Sequence, residues 1–333
     1  MGLAVSVLLL WWTLHDVALL DVLRHLGEAR LLPFLGATIL ATAAFPLRTI
    51  RWHYLLRRDG AKLPMVPLWH ATAIGFMANN LLPARAGELA RAYAAGRLTG
   101  VRFTAAVGSV AVERVLDGLV LVGLLAAGTV LGGFSQTTTV AGVSLARLAR
   151  IAVLLFLPAL GAAFWLVHWP EPALRLGRWV LDRILPRRWS ARVLDVLTGL
   201  LSGLDALKSP RRFALVVCWS VVIWLVSASS YWLGFVAFGL PAPASAGLLL
   251  QGLIGFGVAI PSSPGFFGLF EAVTRATLAL YGIAATPAVS YAVAYHIAVF
   301  LPITVLGLWS LSRAHLHLAE LKPAEGAAEA GRP

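Results

Sequence analysis

Apolar runs near the length that crosses a bilayer recur along this chain, and nothing else constrains its fold as strongly. They occupy residues 31–56, 103–131, 148–169, 213–238 and 287–311. Shorter runs lie at 68–82, 86–98, 244–260 and 266–281, and at 2–14, which residues 17–23 can extend past His15 and Asp16. A hydrocarbon core of about 30 Å asks for about 20 apolar residues in a helix. Charged residues make up 13% of the chain, roughly half of the about 25% usual in globular domains. Disorder, a coiled coil and a disulfide-stapled module are excluded, and a large soluble enzyme fits poorly. The chain is predicted to be an all-α, polytopic integral membrane protein.

The charge balance supports this reading. The net charge is +12, from 27 Lys+Arg against 15 Asp+Glu. The basic residues flank apolar spans, so they read as cytoplasmic loop charges under the positive-inside rule, and nucleic acid is not an expected partner. Loops 57–62, 97–102, 175–212 and 313–322 are basic, whereas 132–144 and 239–247 carry no charged residue. Alternation is satisfied with both termini cytoplasmic, about six full spans, and two broken segments that re-enter without crossing. The start has no basic n-region and no A-x-A-like site, so a cleavable signal peptide is not expected. Cys218 is the single cysteine; no disulfide, cysteine metal site or cofactor is expected.

Residues 170–212 hold nine Lys/Arg and four Asp/Glu. Val193, Leu197, Leu200, Leu204 and Leu207 form one helical stripe. The pattern fits equally a helix lying in the membrane interface and one packed on the protein's own cytoplasmic face. A single membrane domain is expected over 1–318, with repeat 1 at about 31–131, the amphipathic segment at about 171–210 and repeat 2 at about 213–312. Residues 319–333, rich in Ala, Glu, Gly and Pro, are predicted to be a disordered cytoplasmic tail.

The repeat is visible in Ile74-Gly75-Phe76 and Ile254-Gly255-Phe256. A proline-glycine break and an acidic helix follow each copy: NNLLPARAGELARAY from Asn79, and AIPSSPGFFGLFEAV from Ala259. The order span, broken hairpin, span, with one span between the copies, predicts an inverted repeat, in which paired interrupted segments point to a binding site. Ser263 as N-cap and Pro264 as first residue predict a helix from Phe266 onward, and Pro83 starts 84–98 similarly. Such helix starts offer N–H groups to phosphate or carboxylate. A purely structural kink is the alternative.

Arg85, Glu88, Arg91, Glu113, Arg114, Asp117, Glu271 and Arg275 lie inside apolar segments. A charge at the bilayer centre costs about 2.5–3.5 kcal/mol on insertion scales, so these residues should face an interior and pair. Glu113, Arg114 and Asp117 are expected to face Glu88 and Arg91, and Glu271 to pair with Arg275 at i, i+4. Four positive and four negative charges suit a zwitterionic or sugar-phosphate headgroup. Salt bridges that only lock helices together are the other reading. His296 reads as a satisfied interior residue, and His315 and His317 as interfacial.

Arg51-Trp52, NNLLPARAGELAR (from Asn79), ERVLDG (from Glu113) and IPSSPGFFGLFEA (from Ile260) together resemble the flippase-like membrane domain of lysylphosphatidylglycerol synthases. The likeness extends over about residues 3–313. It implies a multi-pass protein of the bacterial cytoplasmic (inner) membrane with two re-entrant hairpins, thought to move lipids between leaflets. By motif it singles out Asn80, Pro83, Gly87, Glu88, Arg91, Glu113, Arg114, Asp117, Pro264, Gly265 and Glu271. Arg51, Asn79, Arg85, Ser262, Ser263 and Arg275 complete the expected headgroup site. Full synthases carry an aminoacyl-transferase domain, for which these 333 residues hold no counterpart, so neither aminoacylation nor its lipid product is carried over.

The leading expectation is a lipid translocase without nucleotide-driven chemistry, since no G-x-x-x-x-G-K-[ST] occurs. Its cargo would be a phospholipid, glycolipid, polyprenyl-linked or hopanoid-type lipid. The expected partners are membrane lipids and a lipid-modifying synthase or glycosyltransferase; a homo-oligomer is compatible. The alternatives are an integral-membrane enzyme using Glu113 and Asp117 as acid and base, and a non-transporting scaffold. No H-E-x-x-H, Cys/His cluster or G-x-S-x-G supports the enzyme.

Overall fold

The computed structural model describes residues 2–15, 17–58, 61–82, 86–135, 137–140, 142–184, 186–257 and 263–318. Pro83, Arg85 and Ser262 and the expected tail lie outside them. The protein is an all-α, multi-pass membrane protein. Five described helices are long and apolar enough to cross a membrane. In chain order the helices are α1 (Gly2–Leu14), α2 (Leu19–Glu28), α3 (Leu31–Leu55), α4 (Met65–Leu81), α5 (Gly87–Thr99) and α6 (Phe103–Leu131). There follow α7 (Leu145–His168), α8 (Pro170–Ile184), α9 (Arg187–Ser202), α10 (Pro210–Ala237), α11 (Ala244–Gly257), α12 (Leu269–Ala279) and α13 (Ala285–Arg313). The helices of that length and apolarity are α3, α6, α7, α10 and α13. The described strands are two-residue pairs: β1 (Arg57–Arg58) with β2 (Ala61–Lys62), and β3 (Thr139–Val140) with β4 (Val143–Ser144).

Local chemistry sets the helix ends. Ser209 caps α10, accepting from Arg212 N at 3.4 Å, with Pro210 in the first turn. There its missing N–H costs nothing. Gly100 closes α5 at φ +69°, a left-handed conformation that glycine adopts without steric cost.

The two repeats are related by their packing. Helix α3 runs antiparallel to α10 along its whole length: Arg30 N donates to Ala237 O at 2.8 Å, Ser230 Oγ to Ala37 O at 2.8 Å, and Arg212 Nη2 to Tyr54 O at 3.1 Å. The first helices of the two repeats therefore point in opposite directions. The remaining contacts are reciprocal. In repeat 1, α6 packs on α11 of the second hairpin, and α13 of repeat 2 packs on α4 of the first. Lipid tails are as apolar as the side chains they meet, so close backbone approach does much of the holding. A Cβ on Gly128 would lie 2.5 Å from Leu249 N, and one on Gly307 would lie 2.7 Å from Ala73 O.

Two expectations change, and one pair of open alternatives is decided. The first apolar stretch is divided into α1 and α2. Its 13-residue first part rises about 20 Å at about 1.5 Å per residue. It lies along α12, with Ser6 Oγ accepting Ser263 N–H at 2.7 Å and the Thr13 carbonyl accepting from Arg275 at 2.8 Å. The amphipathic stripe of α9 and the following turn faces the protein: Leu204 and Leu207 are buried, and a Cβ at Gly203 would sit 2.2 Å from Ala105 O on α6. Finally, the helices after the breaks start three residues late, at Gly87 and Leu269 rather than 84 and 266. Residues Pro264–Phe266 form a separate 3-10 turn, with Gly265 at φ +69° and Phe266 at φ +62°.

Candidate functional site

Hairpin α4–α5 is built around backbone contact. A Cβ at Gly87 would lie 2.1 Å from Gly75 O, and one at Gly75 would lie 2.5 Å from Arg91 Cβ. This closeness turns Arg91 and Glu88 toward α6. Arg91 Nη1 donates to Glu113 Oε1 at 2.8 Å, and Arg114 Nη1 lies 3.6 Å from Glu88 Oε1. The expected facing of Glu113, Arg114 and Asp117 toward Glu88 and Arg91 is the arrangement found.

The like charges Glu113 and Asp117, one turn apart, are bridged twice. Arg114 Nη2 sits 2.5 Å from Glu113 Oε1 and 3.1 Å from Asp117 Oδ2. From α3, Arg51 Nη2 lies 3.0 Å from Glu113 Oε1 and 3.2 Å from Asp117 Oδ2, while its Nη1 bonds Asp117 Oδ1 and Ser220 Oγ (2.8 Å). Trp224 Nε1 on α10 donates to Asp117 Oδ1 at 2.8 Å. Behind this, the Arg91 guanidinium lies 3.8 Å from the centre of the Trp52 ring, and Trp52 Nε1 donates to Ser109 Oγ at 2.9 Å. Arg51 and Glu113 are fully buried, Arg91 and Asp117 nearly so. Ions in a medium this dry are tolerated only when each carboxylate meets several donors.

A cavity of about 680 Å³ opens beside the cluster and runs between the two hairpins. Asn79, Asn80 and Glu88 line it from the first hairpin side, Gly265 and Phe266 from the second, and Arg114 and Asp117 from α6. Phe76 and Phe256, the last residues of the two Ile-Gly-Phe copies, both face it. Apolar Leu148, Ile151 and Leu155 of α7 line another side. Ile151 and Leu155 are 54% and 62% exposed, so this wall continues onto the apolar outer surface.

Arg48, one turn before Arg51, also lines the cavity and is 7% exposed. Its guanidinium lies 4.5 Å from the Trp224 ring centre and 5.3 Å from that of Phe76. Among the described residues no hydrogen bond or ion pair holds it. Counting Arg48, the cluster has four arginines (48, 51, 91, 114) against three carboxylates (88, 113, 117). Of these, Arg48 and Arg114 face the cavity together with Glu88 and Asp117, so the described charges of the wall itself balance.

The second hairpin holds a different constellation. Glu271 does not pair with Arg275. Its Oε2 accepts Gly268 N–H at 2.7 Å, and its Oε1 lies 2.6 Å from His296 Nδ1. His296 Nε2 lies 2.8 Å from Gly265 O, so the interior histidine is satisfied, as read. Arg275 donates to Trp12 O and Thr13 O at 2.9 and 2.8 Å and stacks on Trp12. Ser263 does not cap a helix; its Oγ donates to Phe267 O at 3.2 Å. In the first hairpin Gly87 N–H is taken by Asn79 Oδ1 at 3.0 Å. The first amide of each late-starting region is thus occupied by a side chain of the protein.

Of the expected site residues, Asn79, Asn80, Glu88, Arg114, Asp117 and Gly265 line the cavity. Arg51, Gly87, Arg91, Glu113 and Glu271 stand behind that lining, and Arg275 turns toward α1. Asn80 also ties the hairpin to α13, donating to Thr304 Oγ1 at 2.9 Å. The reading missed Arg48, Trp224, Tyr231, Gln251 and the cavity position of His296. A signal for Arg48 existed. It precedes Arg51 by one turn inside the apolar run 31–56, but only Arg51 falls within one of the matched motifs. No group of three or more His, Cys, Asp or Glu among the described residues is arranged to hold a metal ion.

Comparison with known sequences agrees with the fold. Residues 1–307 match the family described as "Lysylphosphatidylglycerol synthase TM region". The chain is 29% identical over 341 aligned positions to "Glycosyltransferase AglD" of Haloferax volcanii, covering 92% of this chain and 52% of the relative. It is 25% identical over 284 positions to a "UPF0104 membrane protein" of Methanothermobacter thermautotrophicus, covering 81% and 80% of the two chains. The chain therefore spans about half the length of the glycosyltransferase-named relative.

Proposed function

The chain belongs to the lysylphosphatidylglycerol synthase transmembrane family, and from that premise we propose that it is a lipid translocase for headgroups bearing phosphate or another anionic group. The observation that carries this is Arg48, a buried cation in the wall of a hairpin-lined cavity with no carboxylate of its own. A headgroup oxyanion supplies the missing partner, and a planar guanidinium suits phosphate better than a point charge does. Acyl chains follow the apolar α7 wall into the bilayer while the headgroup passes between the hairpins. The two inverted repeats rock to expose alternate sides. In this reading the protein sits in the cytoplasmic membrane, with its basic loops inside.

The acid-base enzyme reading fits less well, because Glu113 is held by three arginines and Asp117 by two, surroundings that suit fixed anions rather than groups exchanging protons with a substrate. The scaffold reading draws on the glycosyltransferase name of a relative about twice as long. In it, the domain positions a lipid for a synthase or glycosyltransferase partner.

Purified protein in phosphatidylcholine liposomes, with a trace of fluorescent phosphatidylglycerol and dithionite as the quencher, separates these readings. Translocation predicts quenching of inner-leaflet probe beyond protein-free liposomes. Arg48→Gln should slow it by about tenfold or more, the loss of one hydrogen bond to a charged group being about 1.5–3 kcal/mol. No acceleration by the wild-type protein overturns the proposal and leaves the scaffold. A changed headgroup mass points to the enzyme.

A further inference from the structure

We infer that His296, Glu271 and the Gly265 carbonyl form a proton-binding site that couples headgroup passage to a proton gradient. This rests on the translocation reading above and adds its driving ion. The argument is one of donors and acceptors. A carbonyl oxygen only accepts, so His296 Nε2, 2.8 Å from Gly265 O, carries a hydrogen. Nδ1 lies 2.6 Å from Glu271 Oε1. That contact needs a hydrogen too, either on Nδ1 or on the carboxyl group. Glu271 Oε2 accepts Gly268 N–H, which places the extra proton between Nδ1 and Oε1. The pair therefore holds one proton more than a neutral imidazole facing a carboxylate.

Removing that proton to water in the cavity sets two lone pairs against each other at 2.6 Å. The contact cannot survive, and the ring must turn away, freeing Gly265 O. Proton occupancy is thus tied to the position of the second hairpin's tip, where Gly265, Phe266 and Gly268 all have positive φ. The site is reachable and shielded at once. The His296 side chain is 11% exposed and lines the cavity, whereas Glu271 is 3% exposed behind it. The rings of Phe267 and Phe270, 4.5 and 4.8 Å from the imidazole, present π-systems that favour a cation.

The other ionisable groups around the site are few. Helices α1 and α11 carry none. On α12 there is Arg275, bound to the α1 carbonyls, and on α13 and α10 there are Tyr291, Tyr295 and Tyr231. Helix α4 offers only His70, which lies against Trp309 far along α13. Helix α2 meets α13 through Val22 at Val289, with Asp21, Arg24, His25 and Glu28 directed outward or partly so. Across the cavity stand Arg48, Glu88, Arg114 and Asp117. With its proton the pair is neutral; without it the pair is an anion facing the headgroup space. An anionic headgroup therefore binds best to the protonated form, and by reciprocity its arrival favours the proton. Lipid and proton should move in the same direction.

The test uses the whole protein in the same liposomes, under an imposed pH gradient and its reverse, with protein-free liposomes as the reference. Fluorescent phosphatidylglycerol should gather in the leaflet facing the alkaline side, up to about tenfold per pH unit for one proton per lipid. In Glu271→Gln and His296→Gln, whatever movement remains should no longer respond to the gradient. Wild-type movement that ignores the gradient overturns the proton site and leaves translocation intact. Should the wild type move no lipid, nitrogen-15 NMR of histidine in bilayers decides, with His296→Gln assigning the signal. Both His296 nitrogens bonded to hydrogen at neutral pH, with the Nδ1 bond lost in Glu271→Gln, supports the site. An Nδ1 that neither carries a hydrogen nor accepts one from the Glu271 carboxyl group refutes it.

Discussion

Arg51 grips Asp117 with both ends of its guanidinium, the second contact being 3.2 Å, and in doing so joins the start of the bundle to α6 across 66 residues of chain. It also reaches Ser220 on α10. One side chain thus ties both repeats to the charged cluster, while Arg48, one turn away, is left to the cavity. The two arginines should respond to substitution in opposite ways.

Asp117→Asn should destabilise the protein by about 3–5 kcal/mol, because breaking a buried pair strands the charge that remains. Thermal unfolding in detergent would register this as a lower midpoint. The double change Arg51→Met/Asp117→Leu removes both charges and should recover part of the loss. A midpoint for Asp117→Asn equal to that of wild type would mean that the pair is no structural lock.

Arg48→Leu should leave the midpoint unchanged or raise it, since an unpaired buried cation is a cost to the fold. The same variant should lose lipid movement in liposomes. A fall in stability as large as that of Asp117→Asn would place Arg48 among the locking residues instead.

Gly87→Ala should cut the yield of folded protein sharply. Its Cβ would lie 2.1 Å from Gly75 O, a backbone atom that cannot swing aside, and 2.5 Å from the Asn79 side-chain amide. Overpacking of this kind costs about 1–3 kcal/mol or more. Gly123→Ala is the matched control on α6, where a Cβ meets nothing within 4 Å. It should be neutral or slightly stabilising, alanine being about 1 kcal/mol the better helix former. Size-exclusion profiles of the two variants compare them directly.

Single cysteines in a Cys218→Ser background test how the bundle sits in the membrane. Lys62→Cys and Lys208→Cys, both in basic loops, should label from the cytoplasmic side. Thr139→Cys, in the uncharged loop between α6 and α7, should label from the outside. If positions 62 and 139 label from the same face, the assignment of sides by loop charge fails.

The class of fold was legible because its cause is local. Twenty apolar residues in a row meet a bilayer in one way, and a Pro-Gly break in such a run stops the helix wherever it is placed. The repeated pattern is local as well, two copies of Ile-Gly-Phe each followed by a break. Helix starts were less so. Glu271 and Asn79 take the first amides and move the starts to Leu269 and Gly87, and in the first hairpin that acceptor comes from the preceding helix.

Charge pairing shows where local reasoning ends. By spacing alone, Glu271 and Arg275 are good partners at i, i+4. In the folded protein Glu271 instead meets His296, 25 residues on, and Arg275 meets carbonyls more than 260 residues back. Sequence could establish that each intramembrane charge needs a partner, because the cost of leaving it bare is set by hydrocarbon. It could not choose the partner, because that depends on which helices the inverted repeat brings side by side. The antiparallel seating of α3 on α10 buries Arg51 in the cluster and points Arg48 into the cavity, although the two are one turn apart and chemically identical. That difference belongs to the tertiary structure alone: a rotation of about 100° per residue along one helix becomes a choice between lock and site only once neighbouring helices occupy its faces.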